Sequence, residues 1–187
     1  MAGSSAITRI WYETHSTTTD NEAGIASGWL PGKLSDLGRE QAVGLGGRIA
    51  DRNPDAIYCS DLARAVQTAI IALRQTGREI PLLLDWRLRE CDYGSLNGAP
   101  SAAVHHDRVR YASDPYPGGE SWQLATARVA AAVRDAAGRH PGGTIMIIGH
   151  LATRFGVRLA CGDPTALTTM ITEPSGWQPG WAYELQA

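Results

Sequence analysis

Three segments of this 187-residue chain place chemically capable side chains directly after short apolar runs. "ITRIWY" runs into Glu13, Thr14 and His15, "AIYC" into Ser60 and, four residues on, Arg64, and "TIMIIG" into His150. An imidazole has an ordinary pKa of ~6.5, so near neutral pH it can offer a lone pair or exchange a proton. Arg64 falls in the first turn of a helix, where the macrodipole disfavours a cation unless an anion binds at that helix end. That placement points to phosphate. Glu90 in "LREC" adds a carboxylate, with a solvated loop residue as its plainer reading. Glu13, His15, Glu90 and His150 are also the types that transfer protons or ligate a hard metal ion.

The elements needed to gather these residues follow from the alternation of β-rich runs with helical stretches, which is the pattern of a sheet covered by helices on both faces. Ile7 to Tyr12 reads as a first strand, and "LSDLGREQAVGLGGRIADR" as a helix whose glycines 44, 46 and 47 mark close packing. "AIYCS" is a second strand, with Ser60 as the cap of the helix "DLARAVQTAIIALRQ". "PLLLD" gives a third strand and "TIMIIG" a fourth, followed by the helix "LATRFGVRLACG". Ser121 to about Ala137 is alanine-rich and helical. Residues 98–116 have no clean period and read as loop or irregular helix. Their His105, His106, Arg108, Arg110 and Tyr111 either border the mouth of the site or are solvated. The tail carries Trp177, Trp181 and Tyr183, and is expected to cover a sheet edge or form a homodimer contact. In this arrangement His15, Arg64 and His150 all fall at the carboxyl edge of the sheet, where ligands of open α/β sheets bind.

Composition limits the function classes. With 43% apolar residues the chain builds one sizeable core, so residues 1–187 are expected to form a single domain. A net charge of -2 and no Lys/Arg cluster argue against a nucleic-acid partner. Cys59, Cys91 and Cys161 are odd in number and widely spaced, so they read as reduced thiols rather than a disulfide framework or a zinc pattern. No apolar stretch approaches the ~20 residues of a membrane span, and the start lacks an apolar signal core. A cytoplasmic location is expected.

The ordered motifs resemble the histidine phosphatase superfamily, the phosphoglycerate mutase-like proteins, most strongly over residues 6–160. "THSTTTDN" and "SGWLPGKLSDLGREQA" match its first signature, "SDLARAVQT" its second and "LRECDYG" its third. "PGGES" with Arg128 behind it, and "IMIIGH", complete the series. The resemblance implies a three-layer α/β/α fold with a mostly parallel central sheet. It also implies a metal-independent, cofactor-free hydrolysis of a small-molecule phosphate ester. His15 then takes up the phosphoryl group, Glu90 acts as general acid and base, and Arg64 and His150 hold the phosphoryl oxygens with Thr18 and Asn21. Phosphoryl transfer asks a protein chiefly for positioning and charge neutralisation, which such a set supplies.

One departure stands at the nucleophile. Where the family has arginine before the histidine, this chain has Thr14, and Ser16 replaces the following glycine. Glu13, two residues before His15, is expected to share its face and repel phosphate, or else to touch a cationic or hydroxyl-rich part of a substrate. Arg154, one helical turn beyond His150, is placed to replace the missing guanidinium or to neutralise Glu13. The alternatives are a different chemistry on the same scaffold, or a silent module that binds a phosphorylated ligand. The small segment between Gly98 and Pro117 leaves no substantial lid, which favours hydrolysis over transfer between hydroxyls.

Overall fold

A computed structural model describes residues 6–173 and 178–186. Along the chain the elements are β1 (Ile7–Thr14), α1 (Thr19–Glu22), β2 (Ile25–Ala26), α2 (Asp36–Arg52), β3 (Ala56–Cys59), α3 (Ala63–Thr76) and β4 (Leu82–Leu84). They continue with β5 (Ala99–Pro100), α4 (Ser101–His106), α5 (Trp122–Gly138), β6 (Thr144–Gly149), α6 (Leu151–Ala160), α7 (Leu167–Thr172) and β7 (Trp181–Gln186). Five strands form one sheet in the order β4-β3-β6-β1-β7, and β2 pairs with β5 in a small separate ribbon. β4, β3, β6 and β1 are parallel, and only β7 runs antiparallel, against β1. No helix among the described residues is long and apolar enough to cross a membrane.

The period-2 alternation of the strands divides the core between two faces. Ile10, Tyr12, Tyr58, Ile145 and Ile147 pack against Val129, Val133 and Ala136 of α5 and Val157 of α6. Ile57, Cys59, Met146 and Ile148 face the other way, toward Leu45 and Ile49 of α2 and Ala65 and Ala69 of α3. This is the expected three-layer α/β/α arrangement. β3 and β6 read as unbroken apolar runs because both of their faces are covered. Of the three glycines expected to mark close packing in α2, Gly46 does so. A Cβ there would sit 2.4 Å from Cβ of Gln75 and 2.7 Å from the Ala72 carbonyl of α3, whereas Gly44 and Gly47 face open space.

Several local expectations change. β1 extends two residues beyond Tyr12, to Thr14. Ser60 does not cap α3: the cap position is Leu62, without a side-chain bond, and the Ser60 hydroxyl accepts the Leu62 N–H. The central segment contains the short helix α4, which buries only Val104. The tail does form an edge strand, β7; Trp177 lies outside the described residues.

Candidate active site

Adjacent parallel strands bring the two histidines together. The pair Thr14 and Gly149 closes the β1–β6 ladder, and the His15 N–H extends it by donating to the Gly149 carbonyl at 2.9 Å. His15 and His150 therefore leave neighbouring strand ends side by side, with ring centroids 5.0 Å apart. Arg64, from the first turn of α3, reaches between them. Its Nε–H donates to His15 Nε2 at 3.2 Å, and its Nη2 to His150 Nδ1 at 3.2 Å. The carbonyls of Leu30 and Gly28, each accepting at 2.8 Å, fix the rest of the fork.

These bonds define the state of both rings. The His15 Nδ1–H donates to the Ser16 carbonyl at 2.8 Å, so the proton resides on Nδ1 and Nε2 carries the lone pair. Burial and the Arg64 charge lower the His15 pKa to about 3, keeping the ring neutral at physiological pH. His150 accepts at Nδ1 from Arg64, which leaves Nε2 as the protonated nitrogen. That Nε2 is buried and has no partner among the described residues. Burial and Arg64 also hold the His150 pKa well below its ordinary value. A buried donor left unsatisfied costs ~1–3 kcal/mol, a cost that a bound anion would remove.

Glu90 arrives from the loop after β4. Its oxygens accept N–H bonds from Cys91 at 2.9 Å, Leu151 at 3.2 Å and Ala152 at 3.0 Å, so the carboxylate sits on the first amides of α6. It is thus not the loosely solvated residue of the plainer reading. The backbone of Glu90 is clamped as well: its carbonyl accepts from Trp29 Nε1 and Arg128 Nη2, each at 2.7 Å. Arg128 is in turn paired with Glu120, at 2.7 Å from each carboxylate oxygen. The "PGGES" motif therefore acts on the site through the Glu90 loop, while Ser121 caps α5. Trp29 also packs against Arg89, whose guanidinium carbon lies 4.7 Å from its ring centroid.

Three tethers hold the loop after His15. Thr68 Oγ1 accepts the Ser16 N–H at 3.0 Å, Gln41 accepts that of Thr17 at 2.9 Å, and Gln67 accepts that of Leu34 at 3.1 Å. Gly38 allows α2 to come this close, since a Cβ there would lie 1.9 Å from the Thr17 carbonyl oxygen.

Around His15 opens a cavity of about 240 Å³, whose walls include Thr14, His15, Asn21, Arg64, Glu90 and Arg154. Arg154 lines the cavity together with Thr14, its guanidinium carbon 4.4 Å from the Trp181 ring centroid and its Nε buried without a partner among the described residues. Two expectations fail here. Glu13 is turned to the opposite face by the alternation of β1, and Arg48 of α2 grips it at 2.7 and 3.0 Å. It neither lines the cavity nor faces a substrate, and it does not call on Arg154 for neutralisation. Thr18 is fully buried, and its hydroxyl is occupied as the N-cap of α1, accepting the Asn21 N–H at 3.0 Å. Asn21 does line the cavity; its Oδ1 returns the bond to the Thr18 N–H, leaving Nδ2 for a ligand. With Glu13 withdrawn, a four-group proton-transfer or metal site does not assemble. No three His, Cys, Asp or Glu side chains among the described residues are grouped to hold an ion.

Of the segment 98–116, Ser101, His105 and Arg108 reach the cavity, whereas His106, Arg110 and Tyr111 do not. Sequence reasoning missed Ser101, Tyr93 and the wall formed by Trp181. It also missed Arg48, whose pairing with Glu13 across 35 residues leaves no local signal.

The family model of the histidine phosphatase superfamily (branch 1) matches residues 13–169. A 2,3-bisphosphoglycerate-dependent phosphoglycerate mutase of Tropheryma whipplei is 40% identical over 93 residues, covering 48% of this chain and 42% of the mutase. The matched stretch thus spans less than half of that relative. Among solved structures, Bacillus stearothermophilus YhfR superposes with a TM-score of 0.82 at 27% identity, over 94% of this chain and 90% of its own. A mycobacterial glucosyl-3-phosphoglycerate phosphatase does so with a TM-score of 0.71 at 26% identity, over 88% and 84%.

Proposed function

The chain belongs to the histidine phosphatase superfamily, and on that footing we propose that it hydrolyses small-molecule phosphate monoesters through a phosphohistidine on Nε2 of His15. The observation that carries this reading is the state of that nitrogen: unprotonated, beside the Arg64 guanidinium, and 5.0 Å in ring distance from a histidine with a spare buried N–H. In the first step Glu90, having taken up a proton as the anionic phosphate binds beside it, gives that proton to the leaving oxygen while the Nε2 lone pair attacks phosphorus in line and the ester P–O bond breaks. In the second, Glu90 takes a proton from water, the water oxygen bonds to phosphorus, and the P–N bond breaks to release inorganic phosphate. Arg64, the His150 Nε2–H, Asn21 and Arg154 neutralise or hydrogen-bond the phosphoryl oxygens.

Hydrolysis is preferred to transfer because the stretch after Gly98 supplies only the six-residue α4 and turns, too little to keep water from the intermediate. The likeness to a structure described as a phosphatase supports the same choice.

The reading is tested with p-nitrophenyl phosphate. Wild-type protein should release phosphate and, on rapid quenching, carry an acid-labile phosphoryl label on His15. His15→Ala should do neither. Full turnover by His15→Ala would overturn the mechanism.

A further inference from the structure

The backbone carbonyls of Arg87, Leu88, Arg89 and Glu90 follow one another through the loop that presents the Glu90 carboxylate. Arg128 bonds to all but Leu88, donating to Arg87 and Arg89 at 2.8 and 2.9 Å and to Glu90 at 2.7 Å. The Leu88 carbonyl accepts instead from the hydroxyl of Thr153, at 2.7 Å. Leu88 and Thr153 are both buried, so water does not serve this carbonyl. The same hydroxyl oxygen accepts the His150 N–H at 2.8 Å. One neutral side chain thus joins the backbone of the second histidine to the loop of the acid.

Thr153 is the third residue of α6, and a threonine within a helix can turn its hydroxyl back to the carbonyl one turn earlier. That carbonyl, of Gly149, is taken by the His15 N–H at 2.9 Å. The Thr153 hydroxyl bonds across 65 residues instead. Gly149 makes the space for it, since a Cβ there would lie 2.3 Å from Thr153 Oγ1 and 2.6 Å from its methyl carbon. The first turn of α6 therefore holds the acid in two ways. The Leu151 and Ala152 amides bind the carboxylate, and Thr153 binds the loop backbone.

Protonation affects these two attachments differently. Bonds from N–H groups to a carboxylate are charge-assisted, and they weaken once it takes up the proton it must deliver. A bond between a hydroxyl and a backbone carbonyl is indifferent to that change. We propose that Thr153 is a positioning residue, which anchors the Glu90 loop on the His150 backbone and keeps the protonated acid aligned with the leaving oxygen. This role rests on the phosphatase reading.

The test is kcat/KM on two esters. The leaving oxygen of phenyl phosphate needs a proton, whereas 2,4-dinitrophenolate departs from its phosphate ester without one. Thr153→Val keeps the shape of the side chain and deletes the hydroxyl. It should lower kcat/KM about 10- to 100-fold for phenyl phosphate, but about threefold or less for the dinitrophenyl ester. Thr153→Ser, which restores the hydroxyl, should return the ratio of the two rates to that of wild type. In a Glu90→Gln background the acid is already gone, and adding Thr153→Val should cost about twofold or less on phenyl phosphate. Thr153→Ala takes the place of the valine variant should the latter not fold. An equal loss on both esters, or a loss undiminished in the Glu90→Gln background, would overturn the role while leaving the phosphatase reading intact. Absence of phosphate release from either ester by wild-type protein would remove that reading, and the role with it.

Discussion

The Nε–H of Arg64 donates to Nε2 of His15 across 3.2 Å, so the lone pair suited to attack phosphorus is engaged by the guanidinium in the free protein. On the proposed mechanism an arriving phosphoryl group draws that guanidinium onto its own oxygens and so uncovers Nε2 of His15. Arg64→Ala is therefore expected to lower kcat/KM by ~10³-fold or more. Arg64→Lys should recover little of it, because a single ammonium cannot bond the Gly28 and Leu30 carbonyls and both imidazoles at once. Steady-state kinetics on an aryl phosphate measure both.

Titration of His15 provides a second check. Burial and Arg64 hold folded His15 near a pKa of about 3, against ~6.5 in an unfolded chain. Between these values the unfolded state binds the extra proton. This contribution to stability is present in full above pH ~6.5 and is lost as the pH falls toward the folded value. Ring chemical shifts should report a neutral His15 down to about pH 5, and His15→Asn should flatten the acid side of the stability profile. A folded-state midpoint near 6.5 would contradict this account.

Arg154 supplies the third prediction. Its Nε is buried without a partner among the described residues, and it lines the same cavity as Thr14 and His15. Removing a charged hydrogen bond to phosphate, worth ~1.5–3 kcal/mol, should make Arg154→Ala about 10- to 100-fold slower in kcat/KM. Thr14→Arg in the Arg154→Ala background should restore part of the loss. An unchanged rate in Arg154→Ala would show that the guanidinium plays no part in turnover.

The Glu120–Arg128 pair yields the fourth. Arg128 donates to the backbone carbonyls of Arg87, Arg89 and Glu90, so it shapes the loop that presents the Glu90 carboxylate. With side chains only 10% and 19% exposed, breaking the pair by Glu120→Ala should cost about 3–5 kcal/mol of stability. A misplacement of Glu90 approaching 1 Å should lower kcat by ~10²-fold. Thermal unfolding and the split between kcat and KM, compared with the milder Glu120→Gln, separate the two effects.

The parts of the fold legible in the sequence were those whose signal is local. β3 and β6 announce themselves as apolar runs because they are covered on both sides, and α5 because alanine favours helix and Ser121 caps it. The placements of His15, Arg64 and His150 followed from their positions just past strand ends. Glu13 misleads because a face shared with His15 requires one strand to run through both residues, and β1 ends between them, at Thr14. Once the strand continues to Thr14, alternation sends Glu13 to the far face, while His15, beyond the strand, is free of that constraint. Thr18 misled because its hydroxyl serves a helix end that no apolar pattern reveals, α1 being four residues long without a buried residue. The contributions of Arg108 and Trp181 were not legible, since they depend on how a segment without periodicity and the antiparallel edge strand fold back over the sheet.

That edge strand sets a practical limit on dissecting the protein. Trp181, at its start, packs beneath Arg154 and against Tyr12, with ring centroids 5.5 Å apart in the latter pair. A recombinant fragment trimmed to residues 13–169, the span that the family model recognises, would keep every motif yet lose most of β1 and all of β7, and with them Tyr12 and Trp181 from the cavity wall. Silence from such a fragment would reflect the trimming rather than the chemistry of the intact chain.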